Sequence, residues 1–196
     1  MVIIFIGPPG SGKGTQANLL KEYLPNLIIL TVSSLLLEKS SDGSIFGNQI
    51  KEKMDKGELI EDNIVNQVLT DKFTSLKGED ILIDGYPRSL KQAEFLNKLL
   101  VDETSKIVFN FNVEKNVLKE RILKRSQIES RKDDSVFDKR FDIYQETYKE
   151  ILNFVDKNFD LKNIEADNSL ESINIEIKGF LCFFEYTLKI NLHRLL

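Results

Sequence analysis

One glycine-rich segment near the N-terminus constrains the fold more than any other part of the chain: Gly7-Pro8-Pro9-Gly10-Ser11-Gly12-Lys13-Gly14-Thr15. The apolar run before it, residues 2–6, predicts a buried strand, and the apolar residues after it recur at helical spacing. Glycines between a strand and a helix let successive backbone N–H groups point into one concavity, where the helix N-terminus adds partial positive charge. Lys13 supplies a full positive charge at the same place. The segment therefore predicts a loop that binds phosphate groups.

Composition limits the partners and the compartment. The chain has 196 residues and a net charge of −4, which suits one domain and gives no general attraction to nucleic acid. Its single cysteine, Cys182, excludes an internal disulfide and a cysteine-based zinc site, so no zinc is expected. The sequence enters its first strand without a basic leader, and the last apolar run is too short to span a bilayer. We therefore expect a cytoplasmic monomer that binds neither nucleic acid nor membranes.

Strand and helix patterns alternate along the whole sequence. Buried or alternating apolar runs predict strands at 2–6, 27–30, 81–83, 106–113 and 161–166. Helical spacing after the loop and in later segments predicts further helices at 33–39, 45–56, 62–76, 89–100, 114–126, 134–157 and 170–190. This alternation predicts an α/β fold with a mainly parallel sheet and helices on both faces.

A second motif follows the third predicted strand: Asp84-Gly85-Tyr86-Pro87-Arg88. Together with the loop at 7–16, it resembles the nucleoside monophosphate kinases, and most closely the adenylate kinase family. The resemblance runs from residue 1 to about 175 and includes the basic segment 120–125 and the segment 131–134. It implies a P-loop NTPase core with a five-stranded parallel sheet in the order 2-3-1-4-5. It also implies a helical monophosphate-binding insertion at 31–61 and a short lid at 126–131, with the end of the last helix and an apolar tail at 176–196.

The same resemblance implies the activity, which is reversible transfer of the ATP γ-phosphate to AMP, giving two ADP. Such transfer depends on positioning and on charge stabilisation, so no general base is expected. Magnesium would be held through water near Asp84 and Thr15, without a direct protein ligand. The implied catalytic residues are Lys13, Asp84, Arg88, Arg125, Arg131 and Arg140. The implied ATP-binding residues are Gly10, Ser11, Gly12, Lys13, Gly14, Thr15, Arg121, Arg125 and Asn168. The implied AMP-binding residues are Thr31, Leu36, Lys39, Ile60, Gly85, Arg88, Gln92, Arg131 and Arg140.

Leu36 is the main departure from the family pattern, which has an acceptor-phosphate arginine at this place. No arginine occurs before Arg88, so a lysine of the insertion must supply the charge. The candidates are Lys39, Lys51, Lys53 and Lys56, of which we predict Lys39. Two alternatives stay open. The short lid also fits a UMP/CMP kinase, although Thr31 and Gln92 favour adenine. The loss of the arginine fits a regulatory nucleotide-binding protein with weak or no kinase activity.

Overall fold

The computed structural model describes residues 1–56, 60–128 and 137–193. The strands are β1 Val2–Ile6, β2 Ile28–Thr31, β3 Ile81–Asp84, β4 Lys106–Asn112 and β5 Asp160–Glu165. The helices are α1 Lys13–Tyr23, α2 Val32–Ser40, α3 Ile45–Lys56, α4 Asp62–Ser75, α5 Leu90–Leu99, α6 Lys115–Ile128, α7 Phe137–Asn158 and α8 Leu170–His193.

The strands form a single parallel sheet in the order β2-β3-β1-β4-β5, which confirms the predicted fold class and strand order. Central strand β1 lies between β3 and β4, with Val2 opposite both Ile81 and Lys106. All five residues of β1 are buried. A parallel sheet covered on both faces needs strands that are apolar throughout, and this explains why the central strand reads as a continuous apolar run.

Each face of the sheet has its own apolar core. Helices α2, α4, α5 and α7 contribute to the core on one face, where Leu69, Leu96 and Ile151 pack against β-strand residues. Helices α1 and α8 contribute to the other core, through Leu20, Ile177 and their neighbours. The phosphate loop joins β1 to α1 and therefore connects the sheet to one of these covering layers.

Most predicted boundaries differ from the structure by about one residue, and the C-terminal ends of α6 and α8 differ by more. Helix α6 continues to Ile128, so residues 126–128 of the predicted lid are helical, while 129–130 and the following segment to 136 lie outside the described residues. The predicted helix end at residue 190 is also wrong, because α8 continues to His193. Neither stretch contains proline, and α6 contains no glycine, so neither helix meets a strong stop signal at the predicted place.

Candidate active site

The carboxyl ends of the parallel strands share one edge of the sheet. Strand β2 ends at Thr31 and β3 ends at Asp84, and these two residues are paired in the sheet register. Asp84 is also paired with Phe5, two residues before Gly7, where the glycine-rich loop begins. Ligands of open α/β sheets bind in the crevice outside this edge, at the point where the strand order reverses. The fold thus brings the two sequence motifs together.

The loop passes close to the neighbouring strand β4. A Cβ atom at Gly7, which has φ +146°, would lie 2.9 Å from the carbonyl oxygen of Phe111. Gly12 has φ +92° and is the N-cap of α1, whose first turn contains no acidic residue. Side chains are therefore strained or obstructed at these two positions. The helix N-terminus keeps its partial positive charge without a compensating carboxylate in its own first turn.

The Lys13 ammonium lies against the loop itself. Its Nζ donates hydrogen bonds to the carbonyl oxygens of Gly7 at 2.9 Å and Pro8 at 2.8 Å, and to Ser11 Oγ at 3.1 Å. Ser11 is buried, whereas Gly14 and Thr15 are exposed at the start of α1. The sequence assigned Lys13 to ligand charge alone, so this bracing of the loop is a second role that the motif did not indicate.

Asp84 is the buried carboxylate next to the loop. The residue is 9% exposed, and its Oδ2 lies 3.7 Å from where a Cβ of Gly14 would stand. Burial raises the pKa of the Asp84 carboxyl above its ordinary value, and the positive charges of Lys13 and Arg88 partly offset that shift. The strand end therefore holds an acidic group between two cations, at the mouth of the phosphate loop.

The chain after β3 forms a hydrogen-bonded turn. Arg88 is exposed, and its Nε donates to the carbonyl oxygen of Gly85 at 2.8 Å. The backbone N–H of Arg88 donates to Gln92 Oε1 at 2.7 Å, and Gln92 Nε2 donates to Asp62 Oδ1 at 2.7 Å. Asp62 thus joins α4 to the predicted AMP-binding residues. Sequence reasoning did not find it, because the contact spans 30 residues.

In the insertion between β2 and α4, the predicted AMP-binding side chains are mostly packed in the core or paired with another residue. Leu36 is 9% exposed and packs in the core on the α2 face, and Ile60 packs partly buried against the same core. Lys39 Nζ lies 2.8 Å from Asp42 Oδ2 and 5.8 Å from the centre of the Phe46 ring. This ion pair raises the pKa of Lys39 and lowers that of Asp42 to about 2. An acceptor phosphate on Lys39 would have to replace Asp42.

The predicted donor and lid residues are described to different extents. Arg121 is half-buried on α6, and Asn168 is exposed after β5, with its Nδ2 donating to the carbonyl oxygen of Glu165 at 3.2 Å. Arg125 belongs to α6 and Arg140 to α7. The side chains of these two arginines, and the whole of Arg131, lie outside the described residues.

A cavity of about 440 Å³ lies beside the loop, at the ends of β4 and β5. Its wall combines Pro8, the β4 end, three acidic groups and one face of α7; the lining residues are Pro8, Phe111, Asn112, Val113, Glu114, Phe141, Tyr144, Gln145, Tyr148, Glu165 and Asp167. None of the predicted site residues lines it. The sequence did indicate the shared aromatic face of α7, where Tyr144 and Tyr148 stack with ring centres 4.7 Å apart.

The described residues contain no group of three or more His, Cys, Asp or Glu side chains that could hold a metal ion. Mg²⁺ does not need such a group, because it keeps several waters and binds through one or two carboxylates together with substrate phosphates. One buried carboxylate, Asp84, beside the Thr15 end of a phosphate loop fits that requirement. Across the same described ranges, every helix is too short or too polar to cross a membrane.

Comparison with known proteins agrees with this geometry. The sequence profile of the adenylate kinase family matches residues 5–159. The adenylate kinase of Prochlorococcus marinus (strain MIT 9515) is 36% identical over 180 residues, which cover 90% of this chain and 96% of the relative. That of Synechococcus sp. (strain WH7803) is 33% identical over 181 residues, with 91% and 97% covered. That of Thermus thermophilus is 28% identical over 183 residues, with 91% and 96% covered.

The chain therefore belongs to the adenylate kinase family. It is a phosphotransferase, a kinase that binds ATP, and its sheet order is consistent with the P-loop fold of this family.

Proposed function

We propose that this protein transfers the γ-phosphate of ATP to AMP, with magnesium, and gives two ADP. The observation that carries the proposal is the convergence of three groups on one sheet edge. The braced loop with Lys13 follows β1, the buried Asp84 ends β3, and the base-reading candidate Gln92 follows it on α5. A donor-phosphate site and an acceptor-base site are thereby joined by a single short turn.

The donor half of the site is the loop and the start of α1. Its backbone N–H groups and the uncompensated helix N-terminus bind the β- and γ-phosphates. Lys13 exchanges its bonds to Gly7, Pro8 and Ser11 for bonds to phosphate oxygens. An ammonium suits this exchange, because it is a point charge with three rotatable donors.

Asp84 and Thr15 are the residues that would hold magnesium near the phosphates, through bound water. When bound, the ion neutralises charge on the phosphate oxygens. The pKa of Asp84 is raised by burial, and a nearby cation favours its ionised form. Arg88 adds positive charge on the acceptor side, as do Arg131 and Arg140 in the family pattern, while Arg121 and Arg125 belong to the donor side.

The acceptor half of the site reads adenine through Gln92, close to Thr31. Gln92 is 6% exposed and its side-chain amide is held by hydrogen bonds, so it presents a fixed pattern to a base. This fixed pattern supports AMP over UMP, because uracil has an acceptor at O4 and a donor at N3 and so reverses both groups. Cytosine has the same donor and acceptor as adenine, so AMP and CMP are separated by the acceptor panel below. Position 36 offers the acceptor phosphate no arginine; it is occupied by Leu36, which packs in the core. Lys39 supplies the charge instead, and we expect a high KM for AMP beside an ordinary KM for ATP.

An acceptor panel tests this proposal. ATP and magnesium are mixed with AMP, CMP, UMP or GMP, and formation of each nucleoside diphosphate is followed by chromatography. We expect AMP to be the best acceptor. A preference for CMP or UMP would identify a pyrimidine monophosphate kinase. Tight nucleotide binding without transfer to any acceptor would identify a regulatory binding protein.

A further inference from the structure

The Gln92 side-chain amide is held at both ends. Its Oε1 accepts a hydrogen bond from the backbone N–H of Arg88 at 2.7 Å. Its Nε2 donates to Asp62 Oδ1, also at 2.7 Å. The residue is 6% exposed, so water does not readily replace either partner.

Both partners permit only one orientation of this amide. A backbone N–H can only donate, and an ionised carboxylate can only accept. Turning the amide over would place Nε2 against the N–H of Arg88 and Oε1 against the carboxylate of Asp62. The first contact would set one donor against another, and the second would set one acceptor against another. Each would leave buried polar groups without a hydrogen-bond partner.

Asp62 is fixed in turn by its neighbours. Ser89 Oγ donates a hydrogen bond to Asp62 Oδ2 at 2.9 Å. As the N-cap of α5, Ser89 Oγ also accepts a hydrogen bond from the backbone N–H of Gln92 at 3.1 Å. Asp62 is the acidic residue in the first turn of α4, where the helix N-terminus favours a negative charge. One carboxylate therefore ties the start of α4 to the start of α5.

The fixed amide has one lone pair left on Oε1 and one hydrogen left on Nε2. Adenine presents the complementary pair on its Watson–Crick edge, with a donor on its 6-amino group and an acceptor at N1. Hypoxanthine, the base of IMP, reverses both, with an acceptor at O6 and a donor at N1. A 6-oxopurine therefore meets an oxygen where it needs a donor, and a hydrogen where it needs an acceptor.

We propose that Asp62 determines base specificity by acting through Gln92, so that the acceptor site admits adenine and rejects 6-oxopurines. Asp62 is a positioning residue in this scheme, since it acts on the base only by holding the Gln92 amide. The inference rests on the proposed function, in which Gln92 reads the acceptor base.

The test is the ratio of kcat/KM for AMP to kcat/KM for IMP in Asp62→Asn. Asparagine can accept or donate toward Gln92, so the reversed amide loses one of its two unfavourable contacts. We expect the ratio to fall by about tenfold or more, which is the size expected for one hydrogen bond to a charged group. The KM for ATP stays unchanged. A merely structural role for Asp62 would lower both rates together and leave the ratio as it was.

The matched control is Asp102→Asn, an exposed aspartate beyond the other end of α5, for which the ratio should not move. If Asp62→Asn does not fold, Asp62→Ser replaces it, because serine also accepts or donates and suits the first turn of a helix. An unchanged ratio in a folded Asp62 variant overturns the inference. So does a native protein that uses AMP and IMP equally, which would leave the kinase activity standing. A native protein that transfers phosphate to neither nucleotide refutes the proposed function itself.

Discussion

Replacing Lys13 by alanine removes two contributions at once. In the structure, the ammonium donates hydrogen bonds to the carbonyl oxygens of Gly7 and Pro8 and to Ser11 Oγ. In the proposed complex, the same ammonium binds the phosphates of ATP. The variant should therefore lose stability as well as activity, whereas a role in ligand charge alone would affect activity only.

The two losses differ in size. A single preorganised donor that stabilises developing charge is worth about 10²–10³ in rate, or about 2.7–4 kcal/mol, so Lys13→Ala should lower the transfer rate by at least that factor. Hydrogen bonds to charged groups contribute about 1.5–3 kcal/mol each, but the three bonds of Lys13 share one partly exposed ammonium. Water can replace part of them, so we expect a loss of about 1–3 kcal/mol in the free energy of unfolding.

Lys21→Ala is the matched control on the same helix. Lys21 Nζ donates to the carbonyl oxygen of Leu27 at 2.5 Å, away from the phosphate loop. Its removal should lower the free energy of unfolding and leave the transfer rate within about twofold. Urea unfolding and single-turnover phosphate transfer are measured on both variants. Lys13→Ala with near-native activity would refute the donor site, and an unchanged unfolding free energy would refute the bracing role.

Three further predictions concern the rest of the site. Asp84→Asn should abolish magnesium-dependent transfer yet raise the melting temperature of the nucleotide-free protein. Because the pKa of Asp84 is raised in the folded protein, ionisation of this carboxyl opposes folding, and the stability of the native protein falls as the pH rises through that pKa. The fall in stability should be smaller in Asp84→Asn, and an equal fall in both proteins would contradict this prediction. Leu36→Ala should cost about 2–5 kcal/mol in unfolding free energy, because Leu36 is a core residue, with little change in the KM for AMP of the folded fraction. Lys39→Ala should raise the KM for AMP about tenfold. Asp42→Asn should lower the KM for AMP, because the Asp42 carboxylate competes with the phosphate for Lys39. A KM for AMP that equals the native value in both variants would exclude Lys39 from the acceptor site.

The strands were predictable because they follow from local apolar patterns, and the start of α1 was predictable from the glycine-rich loop. Residues 2–6 are apolar throughout because β1 is buried on both faces, and the loop after β1 fixes where α1 begins. The family resemblance then supplied the strand order. Helix ends were less predictable, since the sequences at the ends of α6 and α8 lack a strong stop signal.

Side-chain partners within the site could not be predicted in the same way. The bond from Gln92 to Asp62 depends on how α4 packs against α5, and no periodicity in the sequence encodes that contact. The missing arginine at position 36 was evident from the motif, but the burial of Leu36 follows from the packing of α2 against the core. The ion pair of Lys39 with Asp42 likewise depends on the turn that ends α2.

The most direct test of phosphate transfer follows the γ-phosphate itself. ATP labelled at its γ-phosphate is mixed with unlabelled AMP, magnesium and an excess of the protein, and the nucleotides are separated after one turnover. We predict that the label enters the β-phosphate of ADP, in the proportion set by the reversible equilibrium with ATP, and that no inorganic phosphate is released. Label that stays entirely in ATP, or that appears as inorganic phosphate, would contradict the proposed transfer from a donor site to an acceptor site.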